Sequence, residues 1–221
     1  MVRKIVFMAL SSFCCLYANG QHVAGVKEIK IEDYKDCSDS LWKHGTNKVI
    51  MPVFEIPVLI ALSYYPELKG TRIMFVEKSI NTTAACRPKW TFLFKSRKNR
   101  VYEIYINNNQ EKIKGALLEE IPFDAQIGLI GHELGHIADY SKKGVFGIFG
   151  MAFQYLFIPG RSKIEKRVDA ITIAHNLGWQ LYDFEDFIFY RSKVSKEYKA
   201  FKRKIYVAPE ELRKMIGARG K

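Results

Sequence analysis

The residues best equipped for chemistry stand together at Gly131-His132-Glu133-Leu134-Gly135-His136. Four residues turn an α-helix by about 400°, so His132 and His136 lie one turn apart on one face and both imidazoles can reach a single metal ion. Two neutral imidazoles suit zinc. Glu133 lies between them along the chain, where its carboxylate can accept a proton from water on that metal. A catalytic zinc takes a third protein ligand and keeps a fourth position for water. The residues after His136 lack the glycine and third histidine of the extended H-E-x-x-H-x-x-G-x-x-H pattern, which excludes that class of site. Asp139 shares the helical face of His136, yet three ligands on one straight helix cannot surround a tetrahedral ion. It is expected to be an exposed or hydrogen-bonding acid.

Twenty-nine residues after His136, within a second helical stretch, comes Glu165-Lys166-Arg167-Val168-Asp169. Glu165 and Asp169 are again one turn apart and can point at the same place. An H-E-x-x-H motif followed by E-x-x-x-D on a later helix resembles the gluzincin metallopeptidases, among them the minigluzincins and the CAAX-processing and heat-shock membrane peptidases. The resemblance spans roughly residues 70 to 178 and rests on five residues and their order. It implies that Glu165 is the third ligand of one Zn2+ per chain and that Asp169 orients His132. It also implies peptide-bond hydrolysis in a peptide or protein substrate by zinc-activated water, with Glu133 as general base. The implied fold is a zincin-like α+β domain: a small mixed sheet with an edge hairpin, then the active-site helix and further helices. Gluzincins place an edge strand beside the zinc helix, and 100–107 is expected to be that strand. They also supply a His, Tyr or Arg from beyond the third ligand to stabilise the oxyanion. No motif here identifies it. His175, the only histidine downstream of Glu165, lies about 80° from the ligand face of its helix.

The elements that must hold these residues follow from periodicity. Asp124 is expected to cap a helix running to about Lys142, in which Gly128, Gly131 and Gly135 mark a face closely approached by another backbone. An apolar helical run covers 57–68, a strand covers 72–77, and strands at 90–94 and 100–107 form a hairpin across Lys95-Ser96-Arg97-Lys98-Asn99. In the second of these, Tyr102, Ile104 and Ile106 alternate with more polar neighbours. Mixed elements early and helices late make an α+β layout, and with no repeat or linker 21–221 is a single domain. The aromatic stretch 144–160 is too short and interrupted for a transmembrane helix. It is expected either to be a hairpin that packs on the core or lines a hydrophobic cleft, or to dip into a membrane. The stretch 191–204 carries seven cations and one acid, with Val194, Tyr198, Phe201 and Ile205 spaced as the apolar stripe of a docked helix.

Composition bounds the rest. An apolar share of 48% with 26% charged residues excludes a disordered or multi-span membrane chain among 221 residues. Lys and Arg outnumber Asp and Glu by 35 to 23, which suits an anionic membrane surface or envelope polymer. No nucleic-acid-binding module is recognisable, and export disfavours that partner. Arg3 and Lys4, the apolar run 5–16 and Ala18-Asn19-Gly20 read as a signal peptide over 1–20, with cleavage before Gln21. The product is thus expected to be periplasmic, cell-surface or secreted, with membrane association open. Cys37 and Cys86 remain, and in an oxidising compartment could form a disulfide. Two other functions fit the same residues: an inactive zincin-like scaffold that binds a partner at the membrane or envelope, and a metal-dependent amidase acting on cell-wall material.

Overall fold

A computed structural model of the chain describes residues 26–34 and 38–219. The expected signal peptide and Cys37 lie outside the described residues. Strands β1 (Lys48–Val49), β2 (Arg72–Glu77), β3 (Ala84–Pro88) and β4 (Val101–Ile106) form one mixed sheet in the order β1-β2-β4-β3. β1, β2 and β4 are parallel, and β3 runs antiparallel to β4. The period of two sets the faces: Ile73 and Phe75 of β2 and Tyr102, Ile104 and Ile106 of β4 are buried, and their neighbours are less so.

The sheet corrects two expectations. Residues Trp90–Phe94 form a 3-10 helix rather than a strand, because β4 already has β2 on one side and β3 on the other. The last ladder bond runs from Lys89 N–H to the Val101 carbonyl, after which the chain turns, Phe92 N–H bonding back to Lys89. The expected edge strand at 100–107 is correspondingly internal, and the edge belongs to β3.

The helices are α1 (Ser38–Leu41), α2 (Glu55–Ser63), α3 (Phe123–Ser141), α4 (Val145–Tyr155), α5 (Ile158–Ala174), α6 (Gly178–Asp186), α7 (Lys196–Arg203) and α8 (Pro209–Arg219). α2 stops short of the expected 68, since Pro66 disfavours helical backbone in the residue before it. α3 is the axle of the molecule. It packs against α2, α5, α6 and β3, and nearly every residue from Ala125 to Tyr140 is buried. Gly128 lets α6 approach it: a Cβ there would sit 2.1 Å from the Gln180 carbonyl oxygen. Asp124 is not the cap expected of it. Pro122 takes that position, and Asp124, in the first turn of α3, accepts the Ile29 N–H at 2.9 Å.

One hydrophobic core extends along the chain from Ile29 to Leu212. The aromatic stretch 144–160 holds α4 and the turn into α5, and no helix of the described residues is long and apolar enough to cross a membrane. α7 departs from the simple stripe. Lys202 is buried on its inner face, bonded to Glu185 of α6 at 2.8 Å, while Phe201 is partly exposed beneath Arg161.

Candidate metal centre and cleft

α3 and α5 cross with their acid and imidazole groups facing one another. His132 Nε2 and His136 Nε2 lie 3.1 and 3.3 Å from one oxygen of Glu165, Oε2. A tetrahedral ion with bonds of about 2.1 Å needs ligand atoms about 3.4 Å apart, so these separations suit one metal ion. All three side chains are buried, and their donor atoms fall within 4.8 Å of one another. On the far side of His132, Nδ1 is 2.9 Å from Asp169 Oδ1, an orientation that leaves Nε2 turned to Glu165. Asp169 Oδ2 meanwhile accepts the Val207 N–H, so the chain beyond α7 helps to hold the aspartate.

The electrostatics favour a cation. Glu133, Glu165 and Asp169 are all buried, and among the described residues no lysine or arginine pairs with any of them. Uncompensated buried charge is costly, so an ion bound between the imidazoles would complete the set. The titration directions agree. Burial opposes charge on His132, yet Asp169 and Glu165 outweigh it and push its pKa well above the usual value. Burial likewise opposes the charged form of Glu165, and the two histidines still hold it well below the carboxylate range. A site that draws a proton onto His132 this strongly draws a metal ion for the same reason. Glu133 differs: burial raises its pKa, only partly offset by His136 and His132.

Glu133 is steered by β3. Thr83 pairs with Asn107 and Lys89 with Val101 through ladder bonds, so by alternation Ala84, Cys86 and Pro88 turn their backbone groups to the free edge. The Cys86 N–H is one of these, and it bonds to Glu133. Glu133 Oε2 is left without a partner among the described residues. The Cys86 side chain is buried and makes no disulfide among the described residues, and Cys37, its expected partner, lies outside them.

A cleft of about 690 Å³ opens over these groups. β3, Glu133, His136, Glu165, the 3-10 helix at Phe92 and the inner face of α4 line it. Three of its residues were not marked by any sequence pattern. Tyr155 of α4 donates to Glu165 Oε1 at 2.7 Å, which leaves Oε2 for the histidines. Tyr206 lies beyond Glu165, its ring 5.9 Å from His132, and Arg161 sits over the Tyr155 ring. Tyr155 and Tyr206 arrive through tertiary packing from segments without a motif, whereas Arg161 stands one helical turn before Glu165 on α5, a spacing that could have marked it.

Other residues lie elsewhere. Asp139 turns away from the three donors and pairs with Lys143 and with Arg167 of α5, which outweigh its burial and lower its pKa. His175 stacks on Tyr65 and contacts Glu67 at 2.8 Å, outside the cleft lining. Comparison of the chain with protein-family models, with curated proteins and with solved structures finds no significant match.

Proposed function

We propose that this chain is a zinc-dependent metallopeptidase of gluzincin type. The observation that carries the reading is the convergence of His132, His136 and Glu165 beside an unpartnered carboxylate oxygen of Glu133, under the free edge of β3. Two imidazoles and one carboxylate are the donor set of a catalytic zinc with a position left for water. When bound, zinc supplies Lewis acidity toward a carbonyl and toward water.

The rest of the chemistry belongs to the chain. The outward backbone groups of β3 other than the Cys86 N–H pair with an extended peptide and bring its carbonyl over the histidines. Glu133 Oε2 takes a proton from the attacking water and returns it to the leaving amine, while the Cys86 N–H holds the carboxylate in place. Tyr155, through its bond to Glu165 Oε1, keeps the third donor aimed at the imidazoles. The aromatic wall of the cleft excludes water and favours apolar side chains in the substrate.

The test measures metal content and cleavage together. Purified chain is expected to carry about one zinc, and His136→Ala and Glu165→Ala to lose it. Glu133→Gln should keep the metal but lose cleavage of a peptide library by roughly a hundredfold or more. A parent chain that takes up no zinc would sink the reading. Zinc without cleavage, together with a Glu133→Gln variant indistinguishable from the parent, would leave a metal-bound scaffold instead.

A further inference from the structure

The helix that roofs the cleft shows water the wrong face. α4 buries Ile148 and Met151, yet its opposite side, at the helical spacing 146, 149, 153, presents three phenylalanines to solvent. Phe146 is 91% exposed. Leu156, Phe157 and Ile158 continue the exposed surface into the turn before α5. Across the cleft mouth the 3-10 helix adds Trp90, Leu93 and Phe94, the last 81% exposed. The two pieces touch, with the Phe92 and Phe149 rings 5.9 Å apart, Arg97 bonded to the Lys142 carbonyl and Arg100 to that of Lys143. Six rings exposed by half or more place on the order of 800 Å² of apolar surface in water, more than a monomer ordinarily leaves uncovered.

The two segments that carry this surface bear charge of one sign, although Lys89 and Lys143 are paired with Glu103 and Asp139 of neighbouring segments. From Lys78 to Tyr102 the chain carries seven cations and no acid, and from Tyr140 to Ile164 four cations and no acid. Arg87, Arg97, Lys98, Lys142 and Lys163 among them are exposed. Exposed aromatic side chains flanked by cations match the two layers of an anionic bilayer surface: acyl chains within, phosphate groups without. A protein partner would need to be uniformly acidic at its rim.

We infer that the outer face of α4 and the 3-10 helix Trp90–Phe94 together form a docking platform for the surface of an anionic lipid bilayer. The rings enter the acyl boundary and the flanking lysines and arginines meet the headgroups. Phe149 and Phe92 also line the cleft, so docking sets the cleft mouth against the lipid. The inference does not depend on metal or on catalysis.

Vesicles of phosphatidylcholine with phosphatidylglycerol, and of phosphatidylcholine alone, test it with the full chain. Binding should be stronger to the anionic vesicles, weaken with salt, and fall about tenfold or more in the triple variant Phe94→Ser/Phe146→Ser/Phe153→Ser, whose changed residues are all exposed. Acyl chains carrying bromine should quench tryptophan fluorescence in the parent. The quenching should vanish in Trp90→Phe, with circular dichroism unchanged in every variant. That quenching also decides the case in which another segment keeps the triple variant on vesicles: loss of quenching in that variant supports the platform. No quenching in the parent, or quenching indifferent to Trp90, overturns it. A self-association in lipid-free buffer that the triple variant abolishes, with no binding to vesicles, overturns it in favour of a second copy of the chain.

Discussion

Asp169 touches the site at two levels, since one oxygen faces His132 Nδ1 and the other accepts the Val207 N–H. Asp169→Asn preserves the shape and an oxygen acceptor but removes the charge that favours a bound cation through His132. The expected result is zinc affinity weaker by about 10- to 100-fold in a chelator competition, with the fold retained by circular dichroism. Equal affinities would show that the aspartate does not act through the histidine. At this scale much of the site was legible, because its donors sit in pairs one helical turn apart and a four-residue spacing on a helix dictates a shared direction. What crosses between helices was not. Tyr155 reaches Glu165, and Cys86 reaches Glu133, only because α4 and β3 pack where they do, and neither residue carries a spacing that announces it.

Helix packing makes a sharp contrast between two glycines. A methyl group at Gly128 would collide with the α6 backbone at Gln180, and neither backbone can move without shifting α3 or α6. Gly128→Ala should therefore destabilise by about 1–3 kcal/mol or more, despite its better helix propensity. At Gly150 of α4 nothing lies within 4 Å of an added Cβ, so Gly150→Ala should be neutral or stabilise by up to about 1 kcal/mol. Urea unfolding of the two variants checks both signs, and a Gly128→Ala chain as stable as the parent would remove the close approach. The glycine spacing within α3 was visible in advance, as was the alternation that makes β4 a strand. The edge strand was missed. Ala84-Ala85-Cys86-Arg87-Pro88 has little strand propensity and ends in proline, whereas Trp90-Thr91-Phe92-Leu93-Phe94 has much. Pairing overrode propensity once both sides of β4 were filled, and the aromatic run was left to turn outward.

Outside the cleft lining, the segment before α1, the start of α3 and the side of α6 come together at Asp124. Its Oδ1 accepts the Ile29 N–H at 2.9 Å and the Gln180 amide at 3.3 Å, and that amide also reaches the Val26 carbonyl. Burial raises the Asp124 pKa to about 6, opposed by these two donors and reinforced by the charges of Asp183 and Glu28. Lys27 and Arg191 line the same depression, but Arg191 is engaged by Asp183 and Asp186. In the unfolded chain an aspartate titrates near 3.9, so between that value and about 6 the folded state holds the extra proton. Stability contributed by this group is therefore fully present below about pH 4 and lost as pH rises through about 6. Asp124→Asn keeps an oxygen acceptor for Ile29 and has nothing to ionise. Its melting temperature should exceed that of the parent at pH 7.5, and the gap should close on acidification toward pH 4. Other groups such as His132 are the same in both proteins, so the difference between the two curves isolates Asp124. Parallel curves across that range would mean that the carboxylate is solvated in solution and that the segment around Ile29 is not seated against α3 and α6 as described.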